Sequence, residues 1–140
     1  MKIRTILFSC ILVVAPIITH AQSNAERWLV NQAIFEGCEG AGGRFDTGVY
    51  RNDLDGDGRA DLIIDHNGLT CFGNIRSSSF CGQLCSVDIY LRRGNLLQYT
   101  TNYLGFVENI SNGIRPIITL LSRGSHGAVQ WNGREFVSVR

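Results

Sequence analysis

Asp53, Asp55, Asp57 and Asp61 are the residues whose type and spacing most clearly carry chemistry, set in the run Asn52-Asp53-Leu54-Asp55-Gly56-Asp57-Gly58-Arg59-Ala60-Asp61. A hard divalent cation takes roughly six to eight oxygen ligands, and a chain that wraps such an ion presents carboxylates on alternate residues and then turns at a glycine. Asp53, Asp55 and Asp57 meet that pattern, and Gly58 supplies the turn. The carbonyl of Arg59 is the expected backbone ligand, and Asp61 closes the far side directly or through a water. Like charges this close repel unless a cation sits among them. The expected cofactor is therefore calcium.

The same run excludes a helix-loop-helix calcium hand. Counting from Asp53, the position that would carry a bidentate glutamate is Ile64. Ala60-Asp61-Leu62-Ile63-Ile64-Asp65 is apolar and β-branched and reads as a strand, so the loop joins strands. Arg44 to Arg51 is its expected hairpin partner.

Other reactive residues are few. His66, His126, Ser122 and Ser125 are the candidates for acid-base or nucleophilic work, but Gly124-Ser125-His126-Gly127 lacks the G-x-S-x-G elbow. Glu108 and Glu135 are free to act as a carboxylate pair, although nothing in the sequence brings them together. No catalytic residue is assigned, and the chain reads as a non-enzyme.

Cysteine usage points to export. Met1-Lys2-Ile3-Arg4, the apolar stretch Ile6 to Ile18 and Thr19-His20-Ala21 form a secretory signal over residues 1–21, with a retained anchor as the alternative. Cys10 would leave with it, so residues 22–140 keep Cys38, Cys71, Cys81 and Cys85. An even count in an exported chain implies two disulfides. Three connectivities are possible; we favour Cys81 with Cys85 and Cys38 with Cys71. A four-cysteine zinc site competes, but only Cys81 and Cys85 have suitable spacing. Cleavage also removes Lys2 and Arg4, leaving 11 basic side chains against 12 acids, a balance that gives no field for nucleic acid or an acidic membrane. Arg92-Arg93 reads as a solvated hairpin shoulder.

The elements that must position these residues belong to one domain, residues 22–140. Ser23-Asn24-Ala25-Glu26 is a capping box, and Trp28, Leu29, Ala33 and Ile34 form the apolar stripe of the helix that follows, ending at Gly37. Strands are expected at Ser86 to Leu91, Leu96 to Thr101 and Ile114 to Leu121. A closing hairpin turns at Asn132-Gly133 with the type I′ geometry that this dipeptide favours. The fold class is α+β, mainly β: an antiparallel sheet of hairpins with one N-terminal helix packed on a face and two disulfides.

Asp53 to Asp65 resembles the integrin-type D-x-D-G-D-G-x-x-D loop of FG-GAP β-propeller blades, which also lacks the glutamate, but a single copy is present where a propeller repeats it. Together with Phe80-Cys81-Gly82-Gln83-Leu84-Cys85-Ser86-Val87 and Val129 to Val137, it resembles a group of small exported alphaproteobacterial proteins without an assigned activity. That resemblance implies no catalytic residue. The functional expectation is a monomeric, non-catalytic calcium-binding module, periplasmic or secreted, that binds an envelope or extracellular protein or glycan and has no membrane contact after cleavage. The alternatives are an exported effector or inhibitor acting on a host or rival cell, and a small cell-wall hydrolase.

Overall fold

The computed structural model describes residues 23–140, so the expected signal segment lies outside the described residues. Helix α1 (Asn24–Gly37) starts where the Ser23 hydroxyl accepts the backbone N–H of Glu26 at 3.2 Å. The capping box is only half made. Glu26 turns inward, buried, and pairs with Arg51 instead of reaching back to the cap.

Eleven strands follow: β1 (Gly43–Phe45), β2 (Val49–Asn52), β3 (Asp61–Asp65), β4 (Leu69–Cys71), β5 (Ile75–Arg76), β6 (Ser86–Arg93), β7 (Leu96–Leu104), β8 (Phe106–Ile110), β9 (Ile118–Ser122), β10 (Ser125–Trp131) and β11 (Phe136–Ser138). They form three antiparallel sheets, ordered β2-β3-β6-β7, β11-β10-β9-β8 and β1-β4-β5. Among the described residues the fold is mainly β with one α-helix and two disulfides, as expected, although the strands divide among three sheets.

β3 is the axis of the layers. Every one of its residues is buried, which explains a continuous apolar run where a half-exposed strand would alternate. Ile63 points into the larger core with Leu54, Val87, Ile89 and Leu91, against Val107, Ile118, Leu120 and Val129 of the second sheet. Leu62 and Ile64 point the other way, toward Ala33, Leu29 and Val30 of α1. The helix and the second sheet therefore cover opposite faces of the first sheet. Cys38 is joined to Cys71 and Cys81 to Cys85; the first bridge ties the end of α1 to β4.

Several expected elements shift for identifiable reasons. Arg44 to Arg51 is two strands, because Gly48 takes φ +88° where its carbonyl accepts the Asp65 N–H at 2.7 Å. β1 then pairs with β4, and only β2 pairs with β3. β7 runs on to Leu104, and β8 was not expected at all. Gly105, at φ +142°, turns the chain from the first sheet into the second, and a Cβ there would meet the Leu121 carbonyl oxygen at 2.5 Å. β9 begins only at Ile118, leaving Ile114 exposed in a loop. Trp28, assigned to the apolar stripe of the helix, is 63% exposed.

The closing hairpin is also not a type I′ turn. Trp131 pairs with Phe136 across a four-residue loop in which the Asn132 side chain accepts the N–H groups of Arg134 and Glu135. Gly133 takes positive φ and Asn132 does not. Arg123 and Gly124, the two-residue loop between β9 and β10, both take the positive φ of a type I′ turn.

Candidate calcium site

The aspartate loop is pinned at both ends before it presents any ligand. Leu54, between two aspartates, is fully buried in the larger core, so Asp53 and Asp55 are held on either side of an apolar anchor. At the far end Asp61 opens β3 and is itself buried. Its two oxygens accept the backbone N–H groups of Leu54 and Arg92, each at 2.7 Å. One carboxylate thus ties the loop to its own strand and to β6.

Asp53, Asp55 and Asp61 converge: one carboxylate oxygen from each lies within 4.8 Å of the others. Asp53 also accepts the N–H groups of Gly56, Asp57 and Gly58 at 2.8, 3.1 and 2.7 Å, which folds the glycine-rich part of the loop around it. Gly56 and Gly58 both adopt φ +83° to allow this. Asp57 stands outside the cluster of three. Its carboxylate accepts the Arg59 N–H at 2.9 Å and the Arg59 guanidinium at 2.8 and 3.1 Å, which lowers its pKa.

Burial raises the Asp61 carboxyl to about 6, and the nearby negative charges of Asp55 and Asp57 push in the same direction against the two backbone hydrogen bonds. A buried carboxyl beside two other carboxylates is the arrangement that a cation relieves. The donors are all oxygens, so their chemistry fits calcium and suits zinc or copper poorly.

The arginine pair flanks the Gly94-Asn95 turn, as expected, with Arg93 41% exposed, and it also lies against this loop. Arg93 Nη1 meets Asp55 at 2.7 Å, and Arg92 donates to the Ala60 carbonyl and the Ser23 hydroxyl, both at 2.9 Å. From the other side, Ile114 crowds Gly56, and Arg115 donates to the Asp55 carbonyl at 3.3 Å. Nothing in the local sequence links residues 114–115 to the aspartates. Leu54 did carry a legible signal, as the lone apolar residue between two carboxylates.

The candidates for catalysis are dispersed. His126 Nδ1 bonds Glu108 Oε2 at 2.9 Å on an exposed face, while His66 is buried with Nε2 on Asp88 at 2.9 Å. Among the described residues no serine hydroxyl is hydrogen-bonded to either ring. No described helix is long and apolar enough to cross a membrane. No protein-family model, curated protein or solved structure matches the chain.

Proposed function

We propose that this chain is an exported, non-catalytic module braced by calcium at Asp53, Asp55 and Asp61, with a periplasmic or secreted location and an envelope or extracellular protein or glycan as its partner. The convergence of the three carboxylates, one of them buried and already bonded to two backbone donors, carries this reading. Loop carbonyls such as that of Arg59, and waters, would complete the oxygen shell, and Asp57 would join after releasing Arg59. The metal's role is mechanical. It neutralises the repulsion around Asp61 and holds the loop against the β3–β6 ladder, so its binding energy becomes folding energy.

Two disulfides support export, because such bonds form and persist in oxidising compartments. A recess of about 280 Å³ between α1 and β7, lined by Ala25, Trp28, Leu29, Leu96 and Leu97, supports the partner reading. Trp28 and Leu96, 63% and 70% exposed, are large apolar side chains at its rim.

Isothermal titration of chelator-treated protein with calcium tests the metal site. One site with a dissociation constant in the range of roughly 1–100 μM is expected. Absence of heat, together with an unchanged melt, would remove the calcium reading. Capture of a defined envelope component by wild type and not by Trp28→Ala tests the partner.

A further inference from the structure

At the other end of the β3–β6 ladder from the aspartate loop, roughly 23 Å away along β6, the two sulfurs of the second disulfide occupy unlike surroundings. Cys85 is completely buried, whereas Cys81 is partly exposed, next to the exposed residues Gly82 and Gln83. Arg76 holds Nη2 2.8 Å and Nε 3.2 Å from Cys85 Sγ. A disulfide sulfur is a poor acceptor for two guanidinium donors, but a thiolate is a good one, and a neighbouring arginine favours the thiolate form. Cys81 Sγ lies 3.7 Å from the His66 carbonyl oxygen, which can accept a thiol S–H.

Reduction would therefore deliver a thiolate and a thiol to partners already in place. Stabilising the reduced form is what makes a disulfide oxidising.

A buried polar group and an open groove adjoin the bridge. The His66 ring is stacked on Phe80 at 3.9 Å, and its buried Nδ1 has no hydrogen-bond partner. A groove of about 360 Å³ runs beside the Cys81–Cys85 loop, lined by Phe80, Leu84, Leu104 and Arg123 among others. The bridge also adds little as a staple, since it closes a separation of only four residues against 33 for Cys38–Cys71.

We propose that Cys81–Cys85 is a redox-active disulfide that exchanges with a dithiol of a protein or peptide partner. A partner thiolate attacks the accessible Cys81 Sγ. The Cys81–Cys85 bond breaks, and its electron pair leaves on Cys85 Sγ beside Arg76. The partner's second thiolate then attacks its own sulfur in the mixed disulfide and releases Cys81. The partner dithiol is oxidised to a disulfide, Cys81 and Cys85 are reduced, and the two protons lost by the partner thiols pass to the released pair or to solvent. Cys38–Cys71, in which both residues are buried, takes no part.

The test equilibrates the folded, oxidised protein in glutathione buffers of graded ratio, alkylates the thiols and maps them by mass spectrometry. Cys81 and Cys85 are expected to become reduced together while Cys38–Cys71 stays oxidised and the circular dichroism is unchanged. In Cys85→Ser, glutathione should be found on Cys81. Arg76→Gln should lower the equilibrium constant for reduction at least about tenfold, the low end of what a charge-assisted hydrogen bond contributes. Reduction of both bridges only as the fold is lost, or an unaltered equilibrium in folded Arg76→Gln, would overturn the proposal. The wild-type titration decides the first point even if a variant misfolds. It does not depend on calcium at the other end of the ladder, so either reading can fail without the other.

Discussion

Replacing Asp55 by asparagine separates the metal reading from ordinary loop energetics. The side chain keeps its shape and one carbonyl oxygen, so it can still accept the Asp57 N–H that Asp55 Oδ1 accepts at 3.1 Å. It loses the charge that a cation requires and the ion pair with Arg93 at 2.7 Å. The Arg93 side chain is 41% exposed but that of Asp55 only 7%, so that half-screened pair contributes on the order of 1 kcal/mol. In the absence of metal, the lost pair is set against relief of Asp61, whose protonated form is favoured partly by the charge of Asp55.

With calcium the balance differs. For a dissociation constant of about 10 μM and about 1 mM free calcium, binding stabilises the native state by about 2.7 kcal/mol. A domain of this size shifts by roughly 4 °C for each kcal/mol, so calcium should raise the Tm by about 10 °C. Asp55→Asn should lose most of that rise and melt within about 2 °C of wild type in chelator. The assay is a thermal melt by circular dichroism of both oxidised proteins in calcium and in chelator. Equal losses in the two media would refute the reasoning, because the loop would then stabilise the fold through its own hydrogen bonds. An unchanged wild-type melt on adding calcium would refute it as well.

Three other outcomes follow from the described packing. Gly37→Ala should destabilise the protein by roughly 1 kcal/mol, because the helical preference for alanine, about 1 kcal/mol, is outweighed by overpacking of about 1–3 kcal/mol; its Cβ would sit 2.5 Å from Leu69 Cδ2 and 2.9 Å from Phe80 Cδ2. A urea melt reads the sign, and a stabilised variant would show that Leu69 and Phe80 yield. Asp65→Ala should lose about 3 kcal/mol, since it strands the Val107 N–H now bonded at 2.8 Å and two donors of Asn67; Asp46→Ala, on the surface, should leave the same melt unchanged. The Tyr90 hydroxyl is pushed up to about 12, by burial first and then by the charge of Asp88. Its unfolded value is about 10, so above that pH the unfolded chain binds fewer protons than the native one. Stability from this group is complete below about pH 10 and falls as pH rises toward about 12, which alkaline melts with tyrosinate absorbance should reveal.

Local rules made a good part of the molecule legible. The Ser23 cap, the end of the helix at Gly37, the apolar run of β3 and the hairpin at Gly94-Asn95 depend on neighbours a few residues away, and the periodicity of the chain reports them. Both disulfide pairings agree with the favoured connectivity. The spacing of the aspartates marked the candidate metal loop, because ligand chemistry repeats on alternate residues.

What the sequence left open was decided over longer distances. Whether Arg44 to Arg51 is one strand or two depends on Gly48 meeting Asp65, and β8 exists because Gly105 lets the chain cross between sheets beside Leu121. Glu26 could have closed its capping box, but it pairs with Arg51 on another element. Asp61 and Asp57 look alike in the sequence. One is buried at the head of β3 under the N–H groups of Leu54 and Arg92, and the other is held outward by Arg59. Composition and spacing alone determined that this loop carries the carboxylates. Burial, and backbone donors brought from 31 residues away in the case of Arg92, decided which of them converge.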